Sequence, residues 1–253
     1  MNEASGRELT VRCEGPVDAF QSPAGDIPLN GDEVAVWAAT LDELRPFAQD
    51  YTSLLDLGER GRMARFRFEP DKERFLLGHG LLRTVLGHYL RLPPENIRFQ
   101  RGRFGKPFIP DMPINFNLSD TKDAVAIAVS AHRDLGVDVE TMSRVVDHEA
   151  VGEHYFTMEE VASINGSPDG KRRFLEFWTR KEAVLKASGV GIMDDLRVLR
   201  VDEAVNRMTI THDAFIAMAA PVYHVRTWHL GASHIVSLAS STILGTVHFL
   251  SVH

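Results

Sequence analysis

Apolar and polar residues alternate in several short stretches of the chain, and this period of two predicts β-strands. The first half contains four such stretches, at residues 33–41, 97–100, 114–118 and 124–130. The second half contains five more, at residues 135–140, 196–201, 222–229, 234–240 and 242–251. The connections that flank residues 124–130 are short and polar, which predicts an antiparallel meander of three strands.

Two other stretches repeat apolar residues every three to four positions, which is typical of helices that pack on one face. Residues 70–92 form one amphipathic helix, and Pro70 suits its first turn. Three glycines weaken this helix but permit close packing. Residues 169–188 form the clearest helical pattern of the chain, and Gly189 ends it. Shorter helices are expected at residues 42–57, 147–155 and 158–164.

Each half of the chain therefore combines helices with antiparallel strands, and this arrangement predicts the α+β class. The expected organisation has three parts. Residues 1–32 are rich in Gly, Pro and Asp and form an irregular lead-in. Residues 33–133 form the N-terminal half, and residues 134–253 form the C-terminal half.

Charge is distributed unevenly along the sequence. The 253 residues contain 28 Lys or Arg and 35 Asp or Glu, so the net charge is −7, which argues against a general nucleic-acid coat. Residues 60–106 nevertheless hold twelve basic against four acidic residues, a local charge of +8. A basic segment inside an acidic protein indicates a local anionic ligand.

Cysteine usage and hydropathy indicate a cytoplasmic protein. Cys13 is the single cysteine, so it has no partner for an internal disulfide or a zinc site. A reducing compartment fits this composition best. The N-terminus has no apolar run typical of a signal peptide, and no stretch approaches the ~18 apolar residues of a membrane span.

Two carboxylates alternate with valines in the predicted strand at residues 135–140. Asp138 and Glu140 share one face of this strand, and Val137 and Val139 share the other. The two carboxylates repel each other unless a cation lies between them, and such a pair suits Mg²⁺ held jointly with a phosphate. A solvated strand edge that carries two charges is the alternative interpretation.

A second charged pair lies on the predicted helix at residues 169–188. Glu182 and Lys186 are four residues apart, so their side chains are neighbours. One interpretation is a surface pair that stabilises the helix. The other is a carboxylate that binds metal or accepts a proton, beside a lysine that stabilises an anionic group.

Two further segments carry candidate chemistry. In residues 103–108, Gly105 permits close backbone approach to a ligand and Pro107 fixes the turn beside Lys106. An ordinary basic turn is the alternative. Residues 115–120 form a strand that ends in polar side chains, which fits either a ligand contact or a hairpin end with Asx-type bonding.

Together these segments resemble the Sfp-type 4′-phosphopantetheinyl transferases. The resemblance rests on Gly-Lys-Pro at 105–107, Phe-Asn-Leu-Ser at 116–119, Gly-Val-Asp-Val-Glu at 136–140 and the segment at 177–192. It extends from about residue 33 to about residue 240 and agrees in order and spacing. It implies two pseudo-symmetric halves, each with antiparallel strands packed on a long helix, and a ligand cleft between them.

The resemblance implies that the chain transfers the 4′-phosphopantetheine arm of coenzyme A to a serine of an apo carrier protein and releases 3′,5′-ADP. It implies that Asp138, Glu140 and Glu182 hold Mg²⁺, for which Mn²⁺ can substitute. It also implies that Glu182 is the general base, that Lys186 stabilises or protonates the leaving phosphate, and that Lys181 supports the charge of the phosphate or metal site. The C-terminal half would thus hold the metal and catalytic residues.

The N-terminal half, by the same resemblance, binds the phosphates of coenzyme A. The adenine contact corresponds to the turn formed by Phe104, Gly105, Lys106 and Pro107. Further coenzyme A contacts correspond to Ser119 and Asp138 and to basic side chains, for which we expect Lys106, Arg74, Arg67 and Arg62. Arg60 and Arg65 lie in the same basic run as Arg62 and Arg67, and for each of these four arginines a solvated face is an equal alternative. Glu160 matches a family glutamate near the active site.

One position departs from the family pattern. The family has a histidine that contacts a phosphate where this chain has Asp120. An aspartate would repel that phosphate unless it is protonated or bound to metal. Three outcomes are open: Asp120 turns away, Lys122 or an arginine replaces the contact, or affinity for coenzyme A is lower.

Three functions remain to be weighed. The transferase is favoured, with an apo acyl or peptidyl carrier protein as partner, no nucleic-acid or membrane partner and a monomeric state. The carrier can serve fatty-acid biosynthesis or polyketide and peptide synthesis in secondary metabolism. A protein that binds coenzyme A without transfer is the second, supported by Asp120 alone. A magnesium-dependent phosphatase is the third, and no phosphatase nucleophile motif supports it.

Overall fold

The computed structural model describes residues 6–23, 29, 31–131, 134–190 and 195–252, and all structural statements concern these residues. The helices are α1 (Leu41–Leu44), α2 (Ala48–Leu54), α3 (Leu57–Met63), α4 (Glu69–Leu90), α5 (His148–Tyr155), α6 (Met158–Asn165), α7 (Gly170–Ser188) and α8 (Asp213–Met218). The strands are β1 (Arg7–Asp18), β2 (Val34–Thr40), β3 (Gln100–Arg101), β4 (Pro107–Phe108), β5 (Asn115–Asp120), β6 (Ala124–Ser130), β7 (Leu135–Thr141), β8 (Val205–Ile210), β9 (Val222–Leu230), β10 (His234–Ser240) and β11 (Val247–Leu250).

Most of these strands form two sheets, which confirms the predicted α+β class. The first sheet has the order β11-β2-β6-β5, and the second has the order β7-β10-β9-β1-β8. Neighbouring strands are antiparallel except for two pairs, β11 with β2 and β1 with β9. The short strands β3 and β4 form a separate hairpin.

The two sheets pack face to face, with a long helix on the outer face of each. One cluster of buried apolar side chains lies between the sheets and includes Val36 of β2 and Val137 of β7. A second cluster joins α4 to the first sheet, and a third joins α7 to the second sheet. Successive side chains of a strand point to opposite faces of the sheet, so they enter different clusters, and this explains the arrangement.

Both sheets contain the same order of a strand, a long helix and two further strands. In the first sheet β2 pairs with β6, which pairs with β5, and α4 lies between β2 and β5 in the chain. In the second sheet β7 pairs with β10, which pairs with β9, and α7 lies between β7 and β9. This common order agrees with the expected repetition, and a symmetry relating the halves stays a prediction.

The two long helices begin and end near the predicted residues. α4 has Pro70 in its first turn, and a Cβ atom at Gly80 would lie 2.2 Å from the ring of Tyr51, so this glycine permits the packing of α4 on α2. Asp169 caps the start of α7 by accepting a hydrogen bond from the backbone of Arg172. Gly189 ends α7 in the left-handed conformation, with φ of 73°.

Several local expectations are wrong. Residues 1–32 are not irregular throughout, because Arg7–Asp18 form β1 inside the second sheet. The predicted meander breaks after β6, because β7 pairs with β10. The helix expected at 42–57 is divided by a 3₁₀ turn that contains Pro46, and the strand expected at 196–201 is a 3₁₀ turn at Leu196–Val198. Gly191 and Ile192 of the family-like segment lie outside the described residues.

Strand pairing also connects the expected halves. β1 precedes residue 33 but belongs to the second sheet, and β11 follows residue 134 but belongs to the first sheet. Each sheet therefore takes a strand from the opposite end of the chain. Within the described residues, every helix is too short or too polar to traverse a lipid bilayer.

Candidate active site

Helix α7 lies directly against strand β7 because Gly136 has no side chain. A Cβ atom at this position would lie 2.2 Å from the carbonyl oxygen of Ala183 and 2.3 Å from the nitrogen of Ala187. Two residues further along the strand, the carboxylate of Asp138 faces the same helix. The close approach brings the charged side chains of β7 and α7 to one place.

Asp138, Lys186 and Ser119 form a connected cluster at this place. The Nζ atom of Lys186 donates to Oδ1 of Asp138 over 2.7 Å and to Oγ of Ser119 over 2.8 Å. The hydroxyl of Ser119 donates to the same Oδ1 over 2.8 Å. The structure thus brings together three side chains that the sequence analysis selected from separate motifs.

Glu140 extends the cluster along β7. Its carboxylate forms an ion pair with Arg144 and accepts a hydrogen bond from the hydroxyl of Thr121 over 3.2 Å. Arg144 also lies over the ring of Trp178, 5.3 Å from its centroid. Neither Arg144 nor Thr121 was expected at the site from the sequence, although Arg144 follows Glu140 by four residues.

Both strand carboxylates are buried. Asp138 is 5% exposed and Glu140 is 8% exposed, so the alternative of a solvated strand edge is wrong. Burial raises the pKa of Glu140, and the neighbouring charge of Asp138 raises it further. Val137 and Val139, which alternate with these carboxylates, enter the cluster between the sheets, as the strand alternation predicts.

Glu182 is the third carboxylate in this region. Burial, followed by the negative charge of Asp138, raises the pKa of Glu182 to about 7. Lys186 and Arg144 act in the opposite direction, and Glu140 adds to the increase. A carboxyl group with this pKa can accept or release a proton near neutral pH.

The donor set fits a divalent cation. Oδ2 of Asp138 is buried and has no hydrogen-bond partner among the described residues, so one carboxylate oxygen is left without a protein donor. The mutual repulsion of three carboxylates also favours a cation. In the described part of the chain, however, no three His, Cys, Asp or Glu side chains are already arranged as a metal-binding group. The metal role of these residues therefore stays a prediction.

The edges of the two sheets meet at this cluster through side chains. The carboxamide oxygen of Asn117 on β5 accepts a hydrogen bond from the backbone nitrogen of Val137 on β7 over 2.9 Å. The hydroxyl of Ser119 similarly accepts from the nitrogen of Val139 over 3.3 Å. The polar side chains at the end of β5 thus bind the backbone of β7 in the other sheet. A simple hairpin end does not explain these contacts.

The turn at residues 102–106 borders one cavity, and Arg101 and Pro107, which flank the turn, line a second cavity. Gly105 has φ of 86°, which favours glycine at this turn. Lys106 donates to the carbonyl oxygen of Leu135 over 3.0 Å, and burial lowers its pKa. One cavity has a volume of about 360 Å³ and is lined in part by Lys106, Pro107, Asn115 and Gly189. Phe104 is 40% exposed beside this turn.

The second cavity lies on the side of α3 and α4. It has a volume of about 400 Å³ and is lined in part by Arg62, Arg101, Pro107, Asn117 and Asp120. The guanidinium of Arg62 lies 5.2 Å from the ring centroid of Phe75. This cavity combines basic side chains with the end of β5, where the motif of residues 116–119 is located.

Arg74 and Asp120 form an ion pair near this cavity. Nε of Arg74 lies 2.5 Å from Oδ2 of Asp120, and Nη2 lies 2.9 Å from Oδ1 of Asp71. The structure thus directs the carboxylate of Asp120 to an arginine, and the three outcomes left open for this position stay predictions. The expected phosphate contact Arg74 is thus already paired with two carboxylates.

The other expected arginines are dispersed. Arg67 is exposed, and its guanidinium lies over the ring of Phe68. Arg60 donates to backbone carbonyls at the end of α2, including that of Leu55 over 2.9 Å. Arg65 is exposed. Arg62 is the member of this run that lines the cavity described above.

Lys181 and Glu160 do not belong to the cluster. The Nζ atom of Lys181 donates to Oε2 of Glu160 over 2.7 Å and to the carbonyl oxygens of Leu196 and Tyr155. Both side chains are fully buried. The expectation that Lys181 supports phosphate or metal charge is therefore wrong for this structure, because its ammonium group is enclosed by protein acceptors on the other side of α7.

The sequence matches two family models that together extend over most of the chain. The model described as "4'-phosphopantetheinyl transferase superfamily" matches residues 134–239, which include Asp138 and Lys186. The model described as "4'-phosphopantetheinyl transferase, N-terminal" matches residues 36–132, which include the turn at Lys106.

Individual relatives agree with these matches. The 4'-phosphopantetheinyl transferase HetI of Nostoc sp. is 34% identical over 173 residues, which are 66% of this chain and 73% of the relative. A putative 4'-phosphopantetheinyl transferase of Synechocystis sp. is 32% identical over 66% of this chain and 70% of the relative. The 4'-phosphopantetheinyl transferase Sfp of Bacillus subtilis is 28% identical over 58% of this chain and 68% of the relative.

Proposed function

Because the chain belongs to the 4′-phosphopantetheinyl transferase superfamily, we propose that it transfers the phosphopantetheine arm of coenzyme A to a serine of an apo carrier protein. The observation that carries this proposal is the contact of Asp138, Lys186 and Ser119 where β5, β7 and α7 meet. The carboxylates beside it, Glu140 and Glu182, supply the acidic groups that phosphoryl transfer requires.

Asp138, Glu140 and Glu182 would hold Mg²⁺, or Mn²⁺ in its place. The unpartnered Oδ2 of Asp138 and the raised pKa of both glutamates support this assignment. When bound, the cation supplies charge neutralisation to the pyrophosphate of coenzyme A. Ser119 and Lys186 hold Asp138 in its orientation through their hydrogen bonds to Oδ1.

Glu182 takes the proton of the attacking serine. The serine oxygen forms a bond to the phosphorus that carries the pantetheine arm, and the bond from that phosphorus to the bridging oxygen breaks. 3′,5′-ADP leaves with the bonding electrons, and the charge that develops on its phosphate is stabilised by the ammonium group of Lys186. In the metal-free protein, burial and the charge of Asp138 raise the pKa of Glu182 to about 7, which makes its carboxylate a stronger proton acceptor than an ordinary glutamate.

Coenzyme A binds along the N-terminal side of the cluster. The turn formed by Phe104, Gly105, Lys106 and Pro107 contacts the adenine, and the basic side chains Arg62, Arg67 and Arg74 contact phosphates. Of these arginines, Arg62 has the strongest structural support, since it lines a cavity of about 400 Å³ together with Asn117 and Asp120. The acceptor is an acyl or peptidyl carrier protein, and the enzyme acts as a cytoplasmic monomer.

Mass spectrometry of the carrier tests the proposal. The protein is incubated with an apo carrier protein, coenzyme A and Mg²⁺, and we expect the carrier to gain the mass of one phosphopantetheine arm. The gain should disappear with EDTA and with the variant Glu182→Gln. A variant at an exposed acid outside the cluster, Glu149→Gln, is the matched control and should retain transfer.

The same experiment separates the other two functions. Binding of coenzyme A without a mass gain on fatty-acid, polyketide or peptide carriers would contradict transfer and indicate a protein that only binds coenzyme A. Hydrolysis of coenzyme A without transfer would indicate a phosphatase. Either result would refute the proposed function.

A further inference from the structure

Arg74 is the basic side chain of α4 nearest to the end of β5, and two carboxylates already hold it. Asp71 pairs with it from the same helix, and Asp120 pairs with it from β5. Nε and Nη2 of Arg74 form the side edge of the guanidinium that can bind an oxyanion through two parallel hydrogen bonds. Each of these two nitrogens is bound to a carboxylate in this structure.

The direction of Asp120 follows from the alternation of β5. Asn117 and Ser119 face β7, where their side chains bind its backbone. Leu118 faces α4, because a Cβ atom on Gly78 would lie 3.9 Å from its Cδ1 atom. Asp120 shares the face of Leu118 and meets Arg74, which precedes Gly78 by one helical turn. The ion pair is therefore determined by the register between β5 and α4.

The charged side chains that line the neighbouring cavity suit an anion, with the exception of Asp120. Arg62 and Arg101 line it, and no Asp or Glu side chain in the described part of the chain lies within 4.0 Å of either guanidinium. The two other acids of its lining, Asp56 and Glu59, are paired with the buried guanidinium of Arg83. The side chain of Asp120 is 44% exposed. Among the three acids of this lining, it is the one whose arginine partner is also reached by solvent.

We infer that Asp120 determines affinity for the donor by competing with a phosphate group of coenzyme A for Arg74. A phosphate that binds the side edge of Arg74 must displace the carboxylate of Asp120, and a carboxylate that stays nearby repels it. The chain thereby binds its donor more weakly than its basic side chains would allow. This inference rests on the proposed function, because it assumes that coenzyme A is the donor.

Calorimetric titration with coenzyme A at fixed ionic strength tests the inference. The variant Asp120→Asn keeps the shape of the side chain and removes its charge. We expect its Kd for coenzyme A to fall about fivefold, which is the scale of one exposed ion pair. The matched control Asp50→Asn removes another exposed charge, on α2, and should leave the Kd unchanged.

A double-mutant cycle shows whether Arg74 mediates the effect. In the background Arg74→Gln, the substitution Asp120→Asn should improve binding clearly less than it does in the wild-type background, because only the direct repulsion of the phosphate remains to be relieved. Titration with 3′-dephospho-coenzyme A then identifies the phosphate. If Arg74 binds the 3′-phosphate, Asp120→Asn should no longer lower the Kd for this analogue. If Arg74 binds the pyrophosphate, Asp120→Asn should lower the Kd for the analogue as it does for coenzyme A. Both results support competition.

Other results would overturn the inference. If wild-type protein binds coenzyme A but Asp120→Asn binds it equally or more weakly, Asp120 orients Arg74 instead of competing for it. The same conclusion follows if the improvement has the same size without Arg74. Absence of both coenzyme A binding and transfer in the wild type would instead refute the proposed function itself. A second variant, Asp120→Ser, and thermal melting of each variant exclude a folding defect as the cause.

Discussion

The Nζ atom of Lys186 lies 2.7 Å from Oδ1 of Asp138, which joins the last turns of α7 to the centre of β7. The carboxylate is 8% exposed at its side chain and the lysine is 26% exposed, so the pair lies at the border of the protein interior. An ion pair in this position is stronger than a surface pair because solvent screens it less. Its removal should therefore lower the free energy of unfolding as well as the activity of the site.

Replacement of Asp138 by asparagine should abolish transfer while the protein stays folded. Asparagine has nearly the same shape but lacks the charge that Lys186 and a cation require. Substitution of residues that only support a metal ligand lowers activity about 10- to 100-fold, so we expect a loss of at least about 100-fold. The mass assay of the carrier measures the loss. Activity within threefold of that of the Glu149→Gln control would contradict the assigned role.

Replacement of Gly136 by alanine should separate α7 from β7. The added Cβ atom would lie 2.2 Å from the oxygen of Ala183, so the helix must shift. Such overpacking costs about 1–3 kcal/mol of unfolding free energy. We expect a lower melting temperature and reduced transfer. Gly61→Ala in α3 is the control, since its Cβ atom would have no neighbour within 4 Å, and it should be neutral or stabilising.

The pH dependence of stability should report the protonation of Glu182 in metal-free protein. Its folded pKa of about 7 lies above the usual value of 4.5, so the folded state binds this proton more tightly than the unfolded state. The resulting stabilisation is complete below pH 4.5 and is lost as pH rises to about 7. The loss is on the order of 3 kcal/mol.

Urea denaturation of wild type and Glu182→Gln between pH 4 and pH 8 measures this contribution. The glutamine variant lacks the titrating group, so its advantage in unfolding free energy should grow as pH rises. Saturating Mg²⁺ should reduce that advantage if Glu182 is a metal ligand. A pH-independent difference between the two proteins would show that Glu182 does not titrate in this range.

Replacement of Lys181 by methionine should affect stability and spare the chemistry. Glu160 would then be a buried carboxylate without its cation, which costs about 3–5 kcal/mol. The double variant Lys181→Met and Glu160→Gln should recover part of this loss. Below the melting temperature, kcat per folded molecule should stay within threefold of wild type. A loss of kcat as large as that of Glu182→Gln would place Lys181 in the active site after all.

The sequence predicts the elements of the site better than the positions of individual side chains. β7 and α7 occur where alternation and helical periodicity place them, because both elements are largely buried and their apolar residues follow a regular period. Periodicity alone does not tell which partner a helical residue meets. Adjacent residues on α7 point about 100° apart, so Glu182 and Lys186 face β7 while Lys181 enters the core beside Glu160.

The errors have physical causes that the sequence contains only in part. Leu9, Val11 and Cys13 alternate with polar residues and mark β1, but the Gly15-Pro16 pair after them favours a loop interpretation. The pairing of β7 with β10 depends on a contact almost 100 residues away, which no local pattern reports. Arg144 could have been found from its spacing of four residues to Glu140 if the strand had been expected to end in a helical turn.

Because the terminal strands are exchanged between the sheets, the two fragments of a cleaved polypeptide should stay associated. β1 lies in the second sheet and β11 lies in the first, so each end of the polypeptide is anchored in the part built mainly by the other end. A single cleavage between residues 131 and 134 would yield two fragments that stay joined through three pairs of neighbouring strands, β1 with β8, β1 with β9 and β11 with β2. The isolated bridge between Ser22 and Leu250 adds a fourth contact between them. A nicked molecule would thus keep Asp138 and Ser119 side by side, although they would belong to separate chains.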